Sequence, residues 1–150
     1  MSKLFFRVES KTDKSDESEV FNMGFYRISN EQGDRLYEIV GLNNNDDFRH
    51  PLPDEDTKLK HYWDSLDYKQ QWEHFFGFSS FEQLKRWFYR DSWLSDLDNY
   101  LVISVYSVNE LHEGYTQAIC KDENVISKLV EFPVTVTESD VLKEFKGIWL

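Results

Sequence analysis

The sequence predicts an α+β fold: one domain over residues 1–150, mostly antiparallel sheet, with three to four helices packed on it. Three features carry that prediction. Tyr100 to Val108, YLVISVYSV, is rich in β-branched and aromatic residues. Leu101, Ile103 and Val105 share one face and Val102, Tyr106 and Val108 the other, so the strand is apolar on both sides and belongs inside its sheet. Upstream, Ser79 and Ser80 each precede Glu82 and Gln83 by three residues, the spacing of a capping box. Phe81, Leu84 and Phe88 then repeat at helical spacing with Trp87 beside them, while Glu82, Lys85, Arg86 and Arg90 face water. Finally, after an irregular loop the period changes from Thr57 to a helical face of Leu59, Tyr62, Trp63 and Leu66.

The remaining elements follow in order. KLFFRVE, Lys3 to Glu9, reads as an opening strand, and the polar residues 10–19 as a mobile loop or hairpin connection. Val20 to Ser29 and Arg35 to Leu42 read as a hairpin turned at Asn30 to Asp34 through Gly33. Residues 43–56 form a second mobile loop, in which Pro51 and Pro53 forbid a helix. Trp72, Phe75 and Phe76 repeat the helical spacing out of phase with Leu59 to Leu66, so either a helix kinks near Tyr68 or two short helices meet. Gly77 stops that run; Asp91 and Ser92 restart a turn that ends near Asn99. Tyr115 to Cys120 reads as a strand joined to the central one through the turn Leu111 to Gly114. Val125 to Val130 fits a strand or a short helix, Phe132-Pro133 interrupts it, and Val134 to Thr137 is extended. Ser139-Asp140 caps a last helix with Val141, Leu142 and Phe145 apolar.

Composition narrows the function. Twenty-eight acidic against 17 basic residues leave a formal charge of −11, a field that opposes direct nucleic-acid binding and anionic membranes and favours a basic partner. Aromatic residues make up 17%, enough to fill a core with few side chains or to leave rings on the surface. The single Cys120 excludes an internal disulfide, and no apolar run resembles a signal peptide or a membrane span. A cytoplasmic protein is the expectation.

Catalytic and cofactor motifs are missing. His50, His61, His74 and His112 have no metal-binding spacing, and one cysteine cannot build a zinc site. Asp46, Asp47, Asp54, Glu55 and Asp56 lack the spacing and central glycine of a calcium loop and read as a solvated acidic surface. The 6 glycines are ungrouped, which removes a phosphate loop, and Cys120 in an apolar strand reads as packing. Lys85 to Arg90 interleaves bases with rings, but one basic helix face in so acidic a chain does not make a nucleic-acid site. No cofactor and no metal are expected.

Gly77 to Phe88, GFSSFEQLKRWF, with Tyr115 to Cys120, YTQAIC, the strand FYRIS and the Arg49-His50-Pro51 loop, resembles small proteins of bacteriophages and prophages. A fainter likeness is to ADP-ribosyltransferase-like folds, in which Arg7 or Arg27 would supply the NAD-contacting strand. Gln117 stands where that fold would carry its catalytic acid, so transfer chemistry loses its electrostatic support. The leading expectation is a non-catalytic, phage-encoded acidic protein that engages or inhibits a host protein, such as a nucleic-acid-handling or defence protein. It would do so by charge complementarity, with Asp46, Asp47, Asp54, Glu55 and Asp56 at the contact. The alternative is a nucleotide- or NAD-binding module, or a degenerate ADP-ribosyltransferase-like enzyme, with a pocket lined by Tyr26, Arg27, His50 and Gln117.

Overall fold

A computed structural model describes residues 2–15, 18–24, 53–88 and 98–145. Within them a four-stranded sheet is ordered β2-β1-β4-β7 and a three-stranded sheet β3-β6-β5, every pairing antiparallel. The strands are β1 (Lys3–Lys14), β2 (Asn22–Gly24), β3 (His74–Gly77), β4 (Leu101–Val108), β5 (His112–Glu113), β6 (Ala118–Lys121) and β7 (Val125–Pro133). Four short helices accompany them: α1 (Lys60–Asp64), α2 (Tyr68–Trp72), α3 (Phe81–Trp87) and α4 (Glu138–Glu144).

β4 lies between β1 and β7, as its two apolar faces require, and each face looks into a different core. On one side Phe6, Val8, Ile103, Val105 and Phe132 pack against Phe81 and Leu84 of α3 and Val141 of α4. On the other, Phe5, Tyr106 and Val108 meet Phe75, Ala118 and Cys120 from the second sheet. Phe21 wedges between the sheets, its ring centroid 4.9 Å from those of both Phe75 and Tyr106. The outer face of the second sheet is covered by α1, where Tyr62 and Trp63 lie on His74 and Phe76.

Gly77 is a crossing point, not a helix stop. The chain leaves β3 there and at Phe78 forms a two-bond bridge to Phe6 of β1, N–H to O 2.8 Å in each direction. A Cβ on Gly77 would stand 2.5 Å from the Phe6 carbonyl oxygen and 2.7 Å from the Phe5 ring. The absence of a side chain lets one strand pass from the second sheet onto the first.

Several expectations change. Residues 10–14 are strand, because β1 continues past Glu9 and pairs with β2 up to Lys14↔Asn22. Phe75 and Phe76 belong to β3: Asp67 caps α2 through the Gln70 amide at 2.8 Å, and the helix ends at Trp72. Two short helices therefore meet at residues 65–67. His112 and Glu113, read as part of a turn, are β5, and the chain turns at Gly114–Gln117 (Gly114 N to Gln117 O 2.7 Å) into β6, which pairs with β3 and β5 and not with β4. Val125 to Pro133 is one strand on β4, with shifts in register at Val105/Tyr106 and Ser107/Val108 that pass around Leu129 and Ile126. The final helix is capped by Thr137, whose Oγ1 accepts from the Asp140 amide, instead of by Ser139. Ser80 caps α3, its Oγ accepting from Gln83 N at 3.0 Å. Gln83 closes the turn through Ser79 N at 2.9 Å and also donates from Nε2 to the Gly114 carbonyl at 3.0 Å. The Val20–Leu42 hairpin beyond Gly24 and the Asp91–Ser92 turn lie outside the described residues.

Gly77→Ala should destabilise the protein by about 1–3 kcal/mol, because the obstacle is backbone and cannot rotate away. Chemical denaturation with an unchanged m-value is the measurement; a midpoint equal to wild type would contradict the crossing geometry.

Candidate functional site

Asp56 closes a surface that two distant segments build together. It follows a 3-10 turn, Pro53–Glu55, and is 3% exposed. Its Oδ1 accepts from the amides of Lys58 (3.1 Å), Leu59 (3.4 Å) and Tyr115 (3.0 Å); Oδ2 accepts from Thr116 N and Oγ1, both at 2.8 Å. Burial alone would raise its pKa, but the donors from Thr116, Tyr115 and Lys58 stabilise the anion and hold the carboxyl below its ordinary range. Gly114 lies against this carboxylate so closely that a Cβ would reach 2.6 Å from its carbon. Residues 53–59 are thereby riveted to residues 114–116.

Beside this clamp a ring cluster joins α1 to the second sheet. His74, buried, donates from Nδ1 to the Gln70 carbonyl at 2.7 Å, since a carbonyl can only accept. Nε2 then accepts from the Tyr62 hydroxyl at 2.7 Å, which fixes the neutral tautomer. A face of the Tyr62 ring stacks on His112, centroids 3.5 Å apart and planes within 12°. Burial lowers the pKa of both imidazoles, with the Gln70 carbonyl opposing it for His74 and Glu110 opposing it for His112, and burial raises that of Tyr62.

The clamp and the ring cluster leave charge on the rim. Glu55 and Glu113, the residues just before Asp56 and Gly114, are exposed. Glu110 is 65% exposed and stands 3.7 Å from His112. Tyr115, its amide held by Asp56, is 66% exposed, with the Lys58 ammonium 5.7 Å from its ring. Asp122 and Glu123 continue the acidic run at the end of β6.

The residues singled out by sequence fall into three groups. Asp46, Asp47, Tyr26, Arg27 and His50 lie outside the described residues, and Asp54 is described only as backbone. Glu55 is on the rim. Asp56 and Gln117 are buried, so Asp56 is a structural clamp and not a presented charge. Arg7, the other basic residue of the NAD-binding alternative, is 4% exposed and engaged internally with Glu9 (3.0 Å), the Phe76 carbonyl (2.7 Å) and the Asn22 carbonyl (3.3 Å). Burial pushes the Cys120 thiol up to about 12, which suits packing and not nucleophilic attack. Sequence spacing missed the His74–Tyr62–His112 cluster because it is assembled across α1, β3 and β5. Among the described residues no group of three or more His, Cys, Asp or Glu could hold a metal ion, and no helix is long and apolar enough to cross a membrane.

Two measurements test this geometry. Asp56→Asn should cost on the order of 3 kcal/mol and speed amide exchange at Tyr115 and Thr116, because an amide cannot accept on both sides. Unchanged exchange there would remove the clamp. For His74 and His112 the folded pKa is depressed, so the unfolded chain takes up protons first as pH falls below about 6.5. Their contribution to stability is therefore present above that pH and lost below it, and His74→Gln should flatten the stability profile between about pH 6.5 and 5. An equal slope in wild type and variant would show that His74 is not held neutral.

No curated protein and no solved structure matches the chain at a significant level. The profile of the bacteriophage T4 Y00F protein family matches residues 1–133. The chain belongs to that phage protein family.

Proposed function

We propose that this phage-family chain is a non-catalytic binding protein that engages a basic surface of a host protein in the host cytoplasm, through the rim around the Asp56 clamp. One observation carries the reading. A buried carboxylate ties two segments together, with Glu55 and Glu113 exposed beside the clamp in the chain, Glu110 exposed at His112, and Tyr115 an exposed ring whose amide the clamp holds. Pre-set acids steer a positively charged partner and reject polyanions, and a ring whose backbone is already fixed loses little entropy on contact. The charge of −11 strengthens the attraction at long range. Inhibition would follow if the surface covered were one the host protein uses for nucleic acid.

The test is a pull-down from host lysate at low salt with wild type, a Glu110→Lys/Glu113→Lys double variant and Tyr115→Ala. Wild type should retain a basic protein and release it steeply as salt rises toward ~0.5 M. Charge reversal should abolish retention, and Tyr115→Ala should weaken it about tenfold. Retention that ignores both salt and charge reversal would overturn the reading.

A further inference from the structure

A second surface carries rings without the acidic excess. Tyr68 and Trp72, four apart on α2, are 75% and 44% exposed, and their rings meet edge to face at 5.9 Å. Phe76, four residues further on, is 37% exposed on the outer side of β3 and packs 5.9 Å from Trp63 of α1. Gln71 ties the two helices together by donating to the Trp63 carbonyl at 3.1 Å. The Asp67 capping box fixes the start of α2. Tyr68 and Trp72 thus expose much of their rings, with part of Phe76 beside them, on a backbone that is already ordered, an arrangement that marks an interaction surface.

The charges around them say what fits. From Lys60 to Phe76 the chain carries Lys60 and Lys69 against Asp64, Asp67 and Glu73, a surplus of one acid within a chain whose surplus is 11, and Lys60 already pairs with Asp64 at 2.9 Å. A basic partner gains nothing from so balanced a stretch. A second copy does, because two molecules of charge −11 repel everywhere except where the local field cancels. A patch carrying both signs is also self-complementary: across a two-fold axis the Lys69 side of one copy can meet Glu73 of the other. We propose that the exposed rings of α2 and β3 form the contact face of a homodimer. This surface is distinct from the acidic rim, and dimerisation leaves that rim open on both copies.

Salt dependence separates the two surfaces. Screening weakens the rim's hold on a basic partner but relieves repulsion between like-charged copies. Sedimentation velocity of the full chain over a range of concentrations should show a dimer whose fraction rises from ~0.05 to ~0.5 M NaCl. Tyr68→Arg, at a site exposed enough to leave the fold intact, should raise the dimer dissociation constant about tenfold or more. Trp72→Glu should do the same, with circular dichroism confirming that each variant is folded. A chain that stays monomeric at high concentration and high salt overturns the proposal. So does a dimer that neither substitution weakens, which would move the contact elsewhere, for instance to Ile126 and Leu129 on β7.

Discussion

A charge buried between two sheets must be answered by the protein itself, and Glu9 is 0% exposed. Arg7 answers one oxygen at 3.0 Å and the Tyr106 hydroxyl the other at 2.6 Å. The guanidinium then spends its remaining donors on Phe76 of the second sheet and Asn22 of β2, while its plane lies 4.6 Å from the Phe21 ring. Burial and the Glu9 charge both push the Tyr106 pKa up, so the phenol stays a donor. Such a network adds little net stability over a hydrophobic filling, yet losing any one member strands a buried charge. Its effect is registration: Arg7 of the first sheet ties the second to it through the Phe76 carbonyl.

That placement sets the outer surface. With β3 fixed through the Phe76 carbonyl and the Gly77 crossing, His74 and Phe76 must point outward, where α1 covers part of them. The short helices are too brief to be stable alone. They hold because Tyr62 of α1 stacks on His112 and meets His74 edge to face, and because Asp56 and Asp67 satisfy amides at the turns before α1 and α2. A rigid rim and a rigid ring surface both follow from contacts that lie beneath them.

The two surfaces differ in the physics they use. At the rim, carboxylates are exposed while the buried one is structural, so in the proposed complex long-range charge would do the selecting. On α2 and β3 the charges nearly cancel and the rings would be left to select. The proposed contacts with a basic partner and with a second copy would therefore respond to salt in opposite directions.

From sequence alone, local rules were enough for β4, for the cap of α3 and for the packing role of Cys120, since apolar runs, hydroxyl spacing and solitary thiols depend on near neighbours. The α+β class and the phage family were legible for the same reason. Tertiary structure decided what local pattern cannot: that Phe75 and Phe76 extend, that Gly77 is a crossing, and that β6 joins the other sheet. It decided too that Asp56 turns inward while Glu55 stays out, although the two are adjacent acids in one run. The reason is distance along the chain. The donors that claim Asp56 stand at Tyr115 and Thr116, some sixty residues away, and no local pattern records them.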